Sequence, residues 1–518
     1  VQPLGYALAV VSGVALALSF PRYGHPAFGW VALAPLIVAV LAGAAGGGPV
    51  RARRAFLLGL LAGVVYFAGT VYWTSGVMAR FGGIAFPLAA SIAGLLVAYL
   101  ALFPAFFALV LHLLIARSGR SWLWLAPAVW VATEYGRLAI FGGFPWVLLG
   151  YSQVTVLPIA QLASVTGVFG LSALLTASAT AVAWLVVSAG PRRWVAPAAV
   201  AGLIAVIALW GYQRILAGDL TTAGRALRVG IVQGNVDQEM KWDPVRADEI
   251  FARHLRFTEQ VADQGARLVL WPESSTPFYF GYGAESQILR ELARRRGVQL
   301  LIGSDLWEQA SPPRIYNAAF LINADGTTGG VYRKVHLVPF GEYVPLKRVL
   351  SFARPLVEAV SDFAPGFQVN TLPVGHSRIS TAICYEVVYP GLIREGVLNG
   401  SALLTTITND AWFGRSSAPW QHFAMAAMRA VEQGRYLVRA ANTGISGVVD
   451  PYGRVGLQSG LFVEGAWTAD VRLIEEKTIY GQTGDWTVWG SLLLTALALT
   501  ATVAKARRRE GAKARSSV

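Results

Sequence analysis

Apolar residues fill roughly the first 210 positions of the chain and one block near its end, whereas polar positions are frequent in between. A helix needs about 20 apolar residues to cross the hydrocarbon core of a bilayer. Eight segments approach or exceed that length, at about 4–20, 30–47, 55–76, 84–116, 122–140, 160–188, 195–213 and 487–504. The pattern therefore predicts a polytopic α-helical membrane bundle with eight transmembrane helices.

Basic residues between these segments predict their orientation. They follow the second, fourth, sixth and eighth segments, as Arg51, Arg53 and Arg54, as Arg117 and Arg120, as Arg192 and Arg193, and as a tail at 505–515. Successive clusters are two segments apart, so all share one side of the membrane, which the positive-inside rule makes cytoplasmic. Because two short spans would break this alternation, we expect 84–116 to be one helix, with any kink at Pro104.

The stretch between the seventh and eighth segments has the pattern of a soluble α/β domain. Strand-like runs lie at about 228–235, 267–274, 298–304, 316–323, 330–337, 378–389 and 402–407, and helical stretches at about 245–264, 285–296 and 420–433. Ala324-Asp325-Gly326 provides the turn of a hairpin, and two or three further strands are expected to close the domain. The alternation predicts a layered α/β sandwich with active residues at strand ends.

These elements divide the chain into a membrane part and one soluble domain. We expect seven transmembrane helices in 1–216, the soluble domain outside the cytoplasm in 217–481, the eighth helix in 482–506 and a basic cytoplasmic tail in 507–518. Composition agrees with a membrane protein, because 55% hydrophobic residues and 14% charged residues are too apolar for a soluble chain of 518 residues.

Net charge and the counts of cysteine and histidine bear on nucleic-acid binding, disulfides and metal sites. The net charge of +14 does not require nucleic acid, because much of it is arginine that orients helices and a tail suited to anionic lipid. The one cysteine, Cys384, excludes an intrachain disulfide. The six histidines lack the spacing of metal ligands, so neither a metal nor another cofactor is expected.

Three short segments hold the candidate chemistry. Glu273 lies in WPES, Lys334 in YRKVHLVPFGEYVP and Cys384 in ICYE. Each alone has an ordinary explanation, since Glu and Lys favour the surface and a lone Cys in an apolar strand is usually core. Together, in this order and with these neighbours, they resemble the nitrilase (carbon–nitrogen hydrolase) superfamily, whose catalytic Glu, Lys and Cys follow the same order.

Further motifs narrow the resemblance to the apolipoprotein N-acyltransferase family. They are VQGNVDQEMKWDP at 232–244, NDAWFG at 409–414, the segment 419–453, and GFPWVLLGYSQ at 143–153 in the apolar half. The resemblance implies a nitrilase-like αββα sandwich facing the periplasm from a bacterial inner membrane. It also implies a phospholipid acyl donor and, as acceptor, the α-amino group of a diacylglyceryl-cysteine at an apolipoprotein N-terminus.

The residue chemistry suits acyl transfer. A thiol with a pKa near 8.5 must lose its proton to attack, and Glu273 at a neighbouring strand end would accept that proton. Lys334 would stabilise the tetrahedral oxyanion, with the backbone N–H of Tyr385 as a second donor. Glu342 would hold the Lys334 ammonium, and Glu386 would act either behind the active residues or as a strand-edge ion pair. A two-step transfer through a Cys384 thioester is expected.

The substrate pocket is less well defined by the sequence. The resemblance favours Trp242 as a pocket wall, and we expect Phe278, Phe340 and Trp412 to contact substrate as well. Two loops are candidate lids. The aromatic run 276–283 is either a packed loop or a mobile flap that dips toward the bilayer, and 346–366 matches the family pattern least.

Three other interpretations stay open. A Cys–His dyad with His336 would leave Glu273 and Lys334 unexplained. A membrane-anchored amidase or nitrilase-type hydrolase would share the three residues but pass the acyl group to water. A transporter or scaffold with an inactive enzyme-like domain is the non-enzymatic alternative, which the intact Glu, Lys and Cys and the few ionisable residues within the spans disfavour.

Overall fold

The computed structural model describes residues 2–44, 49–241, 243–339, 341–343 and 363–516. They form two compact units. The first contains the residues up to Ser75, Pro87–Leu216 and the residues from Thr483 onward. The second contains Gly76–Phe86 and Ala217–Gln482.

The first unit is helical. Its α-helices are Gln2–Ala17, Ala34–Ala44, Pro49–Val71, Phe86–Ser118, Ala126–Ala139, Leu157–Ala160, Ala163–Val187, Val195–Ala217 and Trp486–Ser516, and Trp73–Phe81 begins in it. Every predicted apolar segment thus contains a helix. Within the described ranges, five helices are long and apolar enough to cross a membrane, namely Arg51–Val71, Phe86–Ser118, Ala163–Val187, Pro191–Thr222 and Trp486–Lys505. The number of eight spans stays a prediction.

Close backbone packing joins two of the long helices. Phe86–Ser118 is one continuous helix with Pro104 inside it, as predicted. A Cβ atom on Gly59 would lie 2.7 Å from the Cα of Ala105, and a Cβ on Gly63 would lie 2.7 Å from the Cα of Ala101. Small residues let apolar helices approach in this way where lipid provides no hydrophobic driving force between them.

A buried ion pair supports the irregular segment that contains the GFPWVLLGYSQ motif. Arg137 donates from Nη1 to the carbonyl oxygen of Trp146 at 2.8 Å, and Glu134 accepts from the backbone N–H of Leu149 at 2.7 Å. Both charged side chains are almost fully buried. Irregular backbone away from water needs such partners, because an unpaired N–H or carbonyl group in an apolar setting is costly.

The second unit contains two six-stranded sheets. The strands in chain order are β1 Arg225–Gln233, β2 Leu268–Leu270, β3 Gln299–Glu308, β4 Arg314–Ile322, β5 Thr328–Arg333, β6 Leu372–Val374, β7 Ser377–Ile383, β8 Ser401–Thr408, β9 Leu437–Ala441, β10 Gly447–Val449, β11 Val455–Gln458 and β12 Gly465–Leu473. One sheet has the order β12-β1-β2-β3-β4-β5, and the other has the order β11-β10-β9-β8-β7-β6. In each sheet a central set, β1-β2-β3 or β7-β8-β9, is parallel.

Alternating side chains assemble four layers. Leu268 and Leu270 of β2 pack in a core shared by both sheets, whereas Val269 packs on the opposite face, against the helices Ala247–Asp263 and Ala284–Arg296. The helices Pro390–Leu398 and Ala418–Gln433 contact the second sheet. The order is helix, sheet, sheet, helix, because successive residues of a strand point to opposite faces.

Several predicted strand bounds were wrong, and the errors lie where the chain turns into the candidate site. The run 378–389 is a strand only to Ile383, because Cys384 has a left-handed φ of 52° and begins a 3₁₀ turn. The run 330–337 ends as a strand at Arg333, and 267–274 at Leu270. Four strands, not two or three, follow the helix Ala418–Gln433. The β4–β5 hairpin is confirmed.

Candidate active site

The candidate residues follow the C-terminal ends of strands. Glu273 comes three residues after β2, Lys334 directly follows β5, Cys384 directly follows β7, and Asn409 directly follows β8. The next residue after Glu273, Ser274, also has a left-handed φ, of 42°. Such conformations in residues other than glycine are uncommon and persist when surrounding contacts hold them.

Lys334 is paired with two carboxylates in an almost fully buried cluster. Its Nζ lies 2.8 Å from Glu342 Oε1 and 3.3 Å from Glu273 Oε1. Asn317 Nδ2 donates to the same two oxygens, at 2.8 and 2.7 Å respectively. The backbone N–H of Asn409 donates to Glu273 Oε2 at 2.9 Å. Neither asparagine was predicted as a site residue: nothing in the local sequence marks Asn317, and Asn409 was noted only as the first residue of the NDAWFG motif.

The charges of this cluster follow from these contacts. Burial by itself raises the pKa of Glu273, but the Lys334 ammonium and the Asn317 hydrogen bond outweigh it, so the pKa lies below its usual range. Burial by itself lowers the pKa of Lys334, but Glu342 and Glu273 outweigh it and raise the pKa. The cluster therefore contains an ionised carboxylate ready to accept a proton and a permanently charged ammonium.

Cys384 is buried beside this cluster and is a thiol at neutral pH. Burial and the Glu273 carboxylate raise the pKa of Cys384, and the Lys334 ammonium opposes them only in part. A protonated thiol is a poor nucleophile, so attack requires a nearby base to accept its proton. Glu273 is the carboxylate whose charge acts most strongly on Cys384.

Glu386 joins the Lys334 segment to the Cys384 turn. Its Oε2 accepts from the N–H of Ile383 at 2.7 Å, and its Oε1 accepts from the N–H groups of Val335 at 2.7 Å and His336 at 3.1 Å. The Tyr332 hydroxyl donates to Oε1 at 2.9 Å. Burial raises the pKa of Glu386 to about 7, although these donors favour the carboxylate. One side chain thus holds the backbone on both sides of the candidate site.

A second buried network fixes the carbonyl group of Cys384. His422 Nε2 lies 3.1 Å from the Cys384 carbonyl oxygen, and His422 Nδ1 lies 3.0 Å from Asp410 Oδ1. Arg439 Nη2 donates to Asp410 Oδ2 at 2.8 Å. The sequence pattern assigned His422 no role, because the histidines lack the spacing of metal ligands and the Cys–His alternative was His336.

Comparisons with known proteins agree with this geometry. Residues 228–477 match the carbon-nitrogen hydrolase family model, and residues 12–181 match the apolipoprotein N-acyltransferase N-terminal domain. The chain is 39% identical to the apolipoprotein N-acyltransferase of Geobacter metallireducens, with 95% of each chain covered. It is 37% identical to that of Methylococcus capsulatus, with 93% of each covered. The chain belongs to the apolipoprotein N-acyltransferase family. The resemblance seen in its motifs is confirmed.

The other predicted site residues differ in whether the structure describes them and in what they contact. Trp242, Phe340 and positions 346–362 lie outside the described residues. Tyr385 is buried directly after Cys384 in the 3₁₀ turn. Trp412 is partly exposed, and its ring meets that of Phe81 at 4.9 Å. The segment Gly76–Phe86 therefore contributes to this unit, which the sequence pattern did not indicate.

Phe278, which we expect to contact substrate, is partly buried in the loop 276–283. Its ring packs edge-on against Phe251 at 5.2 Å, in the core on the helix side of the first sheet. Its carbonyl oxygen accepts from Thr276 and Ser304. Of the two interpretations of 276–283, the packed loop describes these contacts, because aromatic side chains in a core and satisfied carbonyl groups hold the loop in place.

The buried Asp410–Arg439 pair provides a stability test of the Cys384 support. Asp410→Ala leaves the Arg439 guanidinium buried without its carboxylate, which is expected to destabilise the protein by about 3–5 kcal/mol. The midpoint of thermal unfolding in detergent should fall clearly. Asp470→Ala is the matched control, because Asp470 pairs with Arg228 at an exposed site, where such a pair contributes at most about 1 kcal/mol. Equal midpoints for the two variants would contradict the expectation.

Proposed function

We propose that this protein transfers a fatty acyl chain from a phospholipid to the α-amino group of the N-terminal diacylglyceryl-cysteine of apolipoproteins. The observation that carries the proposal is the buried Glu273–Lys334–Glu342 cluster beside Cys384. Family membership supports acyl transfer in lipoprotein maturation as the overall activity. The identities of donor and acceptor go one step further and rest on what the family resemblance implies.

The first half-reaction forms a thioester. The Glu273 carboxylate accepts the proton of the Cys384 thiol, and the thiolate attacks the ester carbonyl carbon of the phospholipid. The Lys334 ammonium and the backbone N–H of Tyr385 stabilise the oxyanion of the tetrahedral intermediate. Collapse breaks the bond to the glycerol oxygen, which takes the proton from Glu273 and leaves as lysophospholipid. The acyl group stays on sulfur.

The second half-reaction uses the same groups in the same order. The neutral acceptor amine attacks the thioester carbonyl, and Glu273 accepts a proton from the resulting ammonium. Collapse of the intermediate forms the amide and releases the Cys384 thiolate, which recovers its proton from Glu273. A thioester reacts readily with an amine, and a pocket that excludes water favours transfer over hydrolysis.

The two carboxylates around Lys334 suit different tasks. Glu342 is the closer one, at 2.8 Å against 3.3 Å for Glu273, and it also accepts the N–H of Val338. When Glu273 becomes protonated during the reaction, Glu342 still balances the ammonium and holds its position. We therefore assign proton transfer to Glu273, oxyanion stabilisation to Lys334 and positioning of Lys334 to Glu342.

Both proposed substrates are lipids, so the helical unit has a clear purpose. Its apolar helices hold the enzyme in the bilayer where donor and acceptor reside. The arginine clusters support eight spans in an inner membrane, a cytoplasmic tail and a periplasmic catalytic unit.

Reporter fusions test this topology. A reporter fused after Gly224 should report the periplasm, and a reporter fused after Ala504 should report the cytoplasm. The two points lie on opposite sides because one span, the eighth, separates them. Alkaline phosphatase and green fluorescent protein give opposite readouts at the two positions. The same compartment at both points would overturn the eight-span arrangement.

Substitutions at Lys334 and Glu342 test the assigned roles. Lys334→Ala should remove about 3 kcal/mol or more of transition-state stabilisation, a loss on the order of a hundredfold in kcat/KM. Glu342→Gln should cost less, because the amide oxygen still accepts from Lys334. Thermal unfolding of each variant controls for misfolding. A folded Lys334→Ala variant with near-normal turnover would show that Lys334 has only a structural role.

Intact-mass analysis of purified protein tests the covalent mechanism. Incubation with phospholipid alone should add one acyl group to Cys384, and Cys384→Ala should gain none. Addition of a diacylglyceryl-cysteine peptide should discharge the adduct into an amide, and initial-rate plots should be parallel. Intersecting lines without an adduct would replace the thioester by a ternary complex. Discharge to water as fast as to the amine would favour the hydrolase alternative.

A further inference from the structure

A second buried lysine lies beside Glu273 and has no part in the steps above. Lys241 follows β1 in the VDQEMKWDP stretch, and only 6% of it is exposed. Its Nζ donates to the main-chain carbonyl oxygen of Glu273 at 3.1 Å. Among the described residues, that oxygen is its one hydrogen-bond acceptor. Lysines are rarely buried to this extent without a carboxylate partner, so the position calls for an explanation.

The turn that carries Glu273 is held from two sides. On one side β3 approaches so closely that a Cβ on Gly303 would lie 2.7 Å from the Cα of Glu273. Ser274, with its left-handed φ, donates from Oγ to Asp305 Oδ1 of β3 at 2.8 Å. Lys241 binds the turn through the Glu273 carbonyl group. Its removal would therefore free one side of a strained turn.

The charge of Lys241 also matters, because several buried acids lie close together around it. Lys334 already serves both Glu273 and Glu342. Asp305 is a third buried acid, and burial raises its pKa to about 6. Without Lys241, one ammonium would face three carboxyl groups, and ionisation of Cys384 would compete with all of them. A second ammonium reduces this repulsion.

We propose that Lys241 is a positioning residue of the acyl-transfer site, whose ammonium holds the main chain of Glu273 and favours the anionic forms of Glu273 and Cys384. The inference rests on the proposed function, because it assigns Lys241 to the same two residues. Lys241 acts through Glu273 and Cys384 and is not assigned any contact with substrate.

The groups that face the two ends of this interaction are known. Around Lys241 they are Glu273, Asp305, Cys384 and His254, and burial lowers the pKa of His254 to about 4, so that its ring is neutral. Around Cys384 they are Glu273, Lys334, Asp410 and Lys241 itself, with His422 at the carbonyl group. Burial lowers the pKa of Lys241 below its usual value, and Glu273, Asp305 and Cys384 oppose that shift. The three nearby acids are the groups that favour the ammonium form, which the proposal requires.

The pH dependence of Cys384 alkylation by iodoacetamide separates charge from hydrogen bonding. Lys241→Arg keeps both, Lys241→Gln keeps a donor without the charge, and Lys241→Met keeps neither. Loss of a positive neighbour raises the pKa of Glu273 and of Cys384 alike. The alkylation profile of Lys241→Gln and Lys241→Met should therefore move to higher pH by about one unit. The profile of Lys241→Arg should stay near that of the wild type.

The full-length protein in detergent is used throughout, and intact mass reports the label on its one cysteine. Lys477→Gln is the control for loss of an exposed lysine and should leave the profile in place. Thermal unfolding checks each variant. If Lys241→Met does not fold, the comparison of Lys241→Gln with Lys241→Arg still decides. A Lys241→Gln profile that coincides with the wild-type profile would overturn the role of the charge.

Alkylation requires no phospholipid, so the two proposals can fail separately. A shifted profile together with no acyl adduct from phospholipid would contradict the acyl-transfer mechanism and leave the charge effect of Lys241 in place. An acyl adduct together with an unshifted Lys241→Gln profile would contradict the inference about Lys241 alone.

Discussion

Pairing of the Lys334 ammonium is the constraint on which the catalytic unit depends. A buried ammonium requires opposite charge and acceptors for its N–H groups, and Glu342 and Glu273 provide both. The carboxylates in turn require donors, which come from Asn317 in one sheet and from the backbone of Asn409 at the end of a strand in the other. The groups that surround one buried charge thus come from both sheets and join them at the site.

The turn that begins at Cys384 shows how the same principle supports strained backbone. Cys384 has a left-handed φ, and its flanking groups are bound by buried polar side chains. Glu386 accepts a hydrogen bond from the N–H of Ile383, directly before the turn. His422, held by Asp410 and Arg439, donates one to the carbonyl oxygen of Cys384. A hydrogen bond to Glu386 within the turn and one to His422 on the helix Ala418–Gln433 hold a conformation that local preference would not choose.

The helical unit has a different constraint, because apolar surroundings offer its backbone groups no hydrogen-bond partners. Its helices gain little from hydrophobic burial against lipid, and they approach through small residues such as Gly59 and Gly63. Where the backbone becomes irregular, the buried Glu134 and Arg137 pair with its N–H and carbonyl groups. Buried charge is scarce among the described residues of this unit, and the buried Glu134 and Arg137 bind the backbone.

Local pattern predicted most elements, apart from several strand ends, and it singled out the three proposed active residues. Hydrophobic period and length predicted the apolar helices and the alternating strands, the alternation of arginine clusters predicted the single helix Phe86–Ser118, and the turn Ala324-Asp325-Gly326 predicted the β4–β5 hairpin. Motifs in sequence order identified Glu273, Lys334 and Cys384. These features depend on neighbours in the chain, so the chain alone determines them.

Tertiary structure decided what surrounds those residues. Asn317 within β4, Asn409 directly after β8 and Lys241 in the segment beyond β1 meet Glu273 only because the fold brings these separate segments together, and no local pattern records such a meeting. The end of β7 at Ile383 reflects contacts made by Glu386 with another strand end, whereas apolar composition alone favoured a longer strand. Phe278 packs against Phe251, which is distant in the sequence, because the fold brings the two residues together. Sequence period determines which residues are buried, and the long-range pairing of strands determines which partners they meet there.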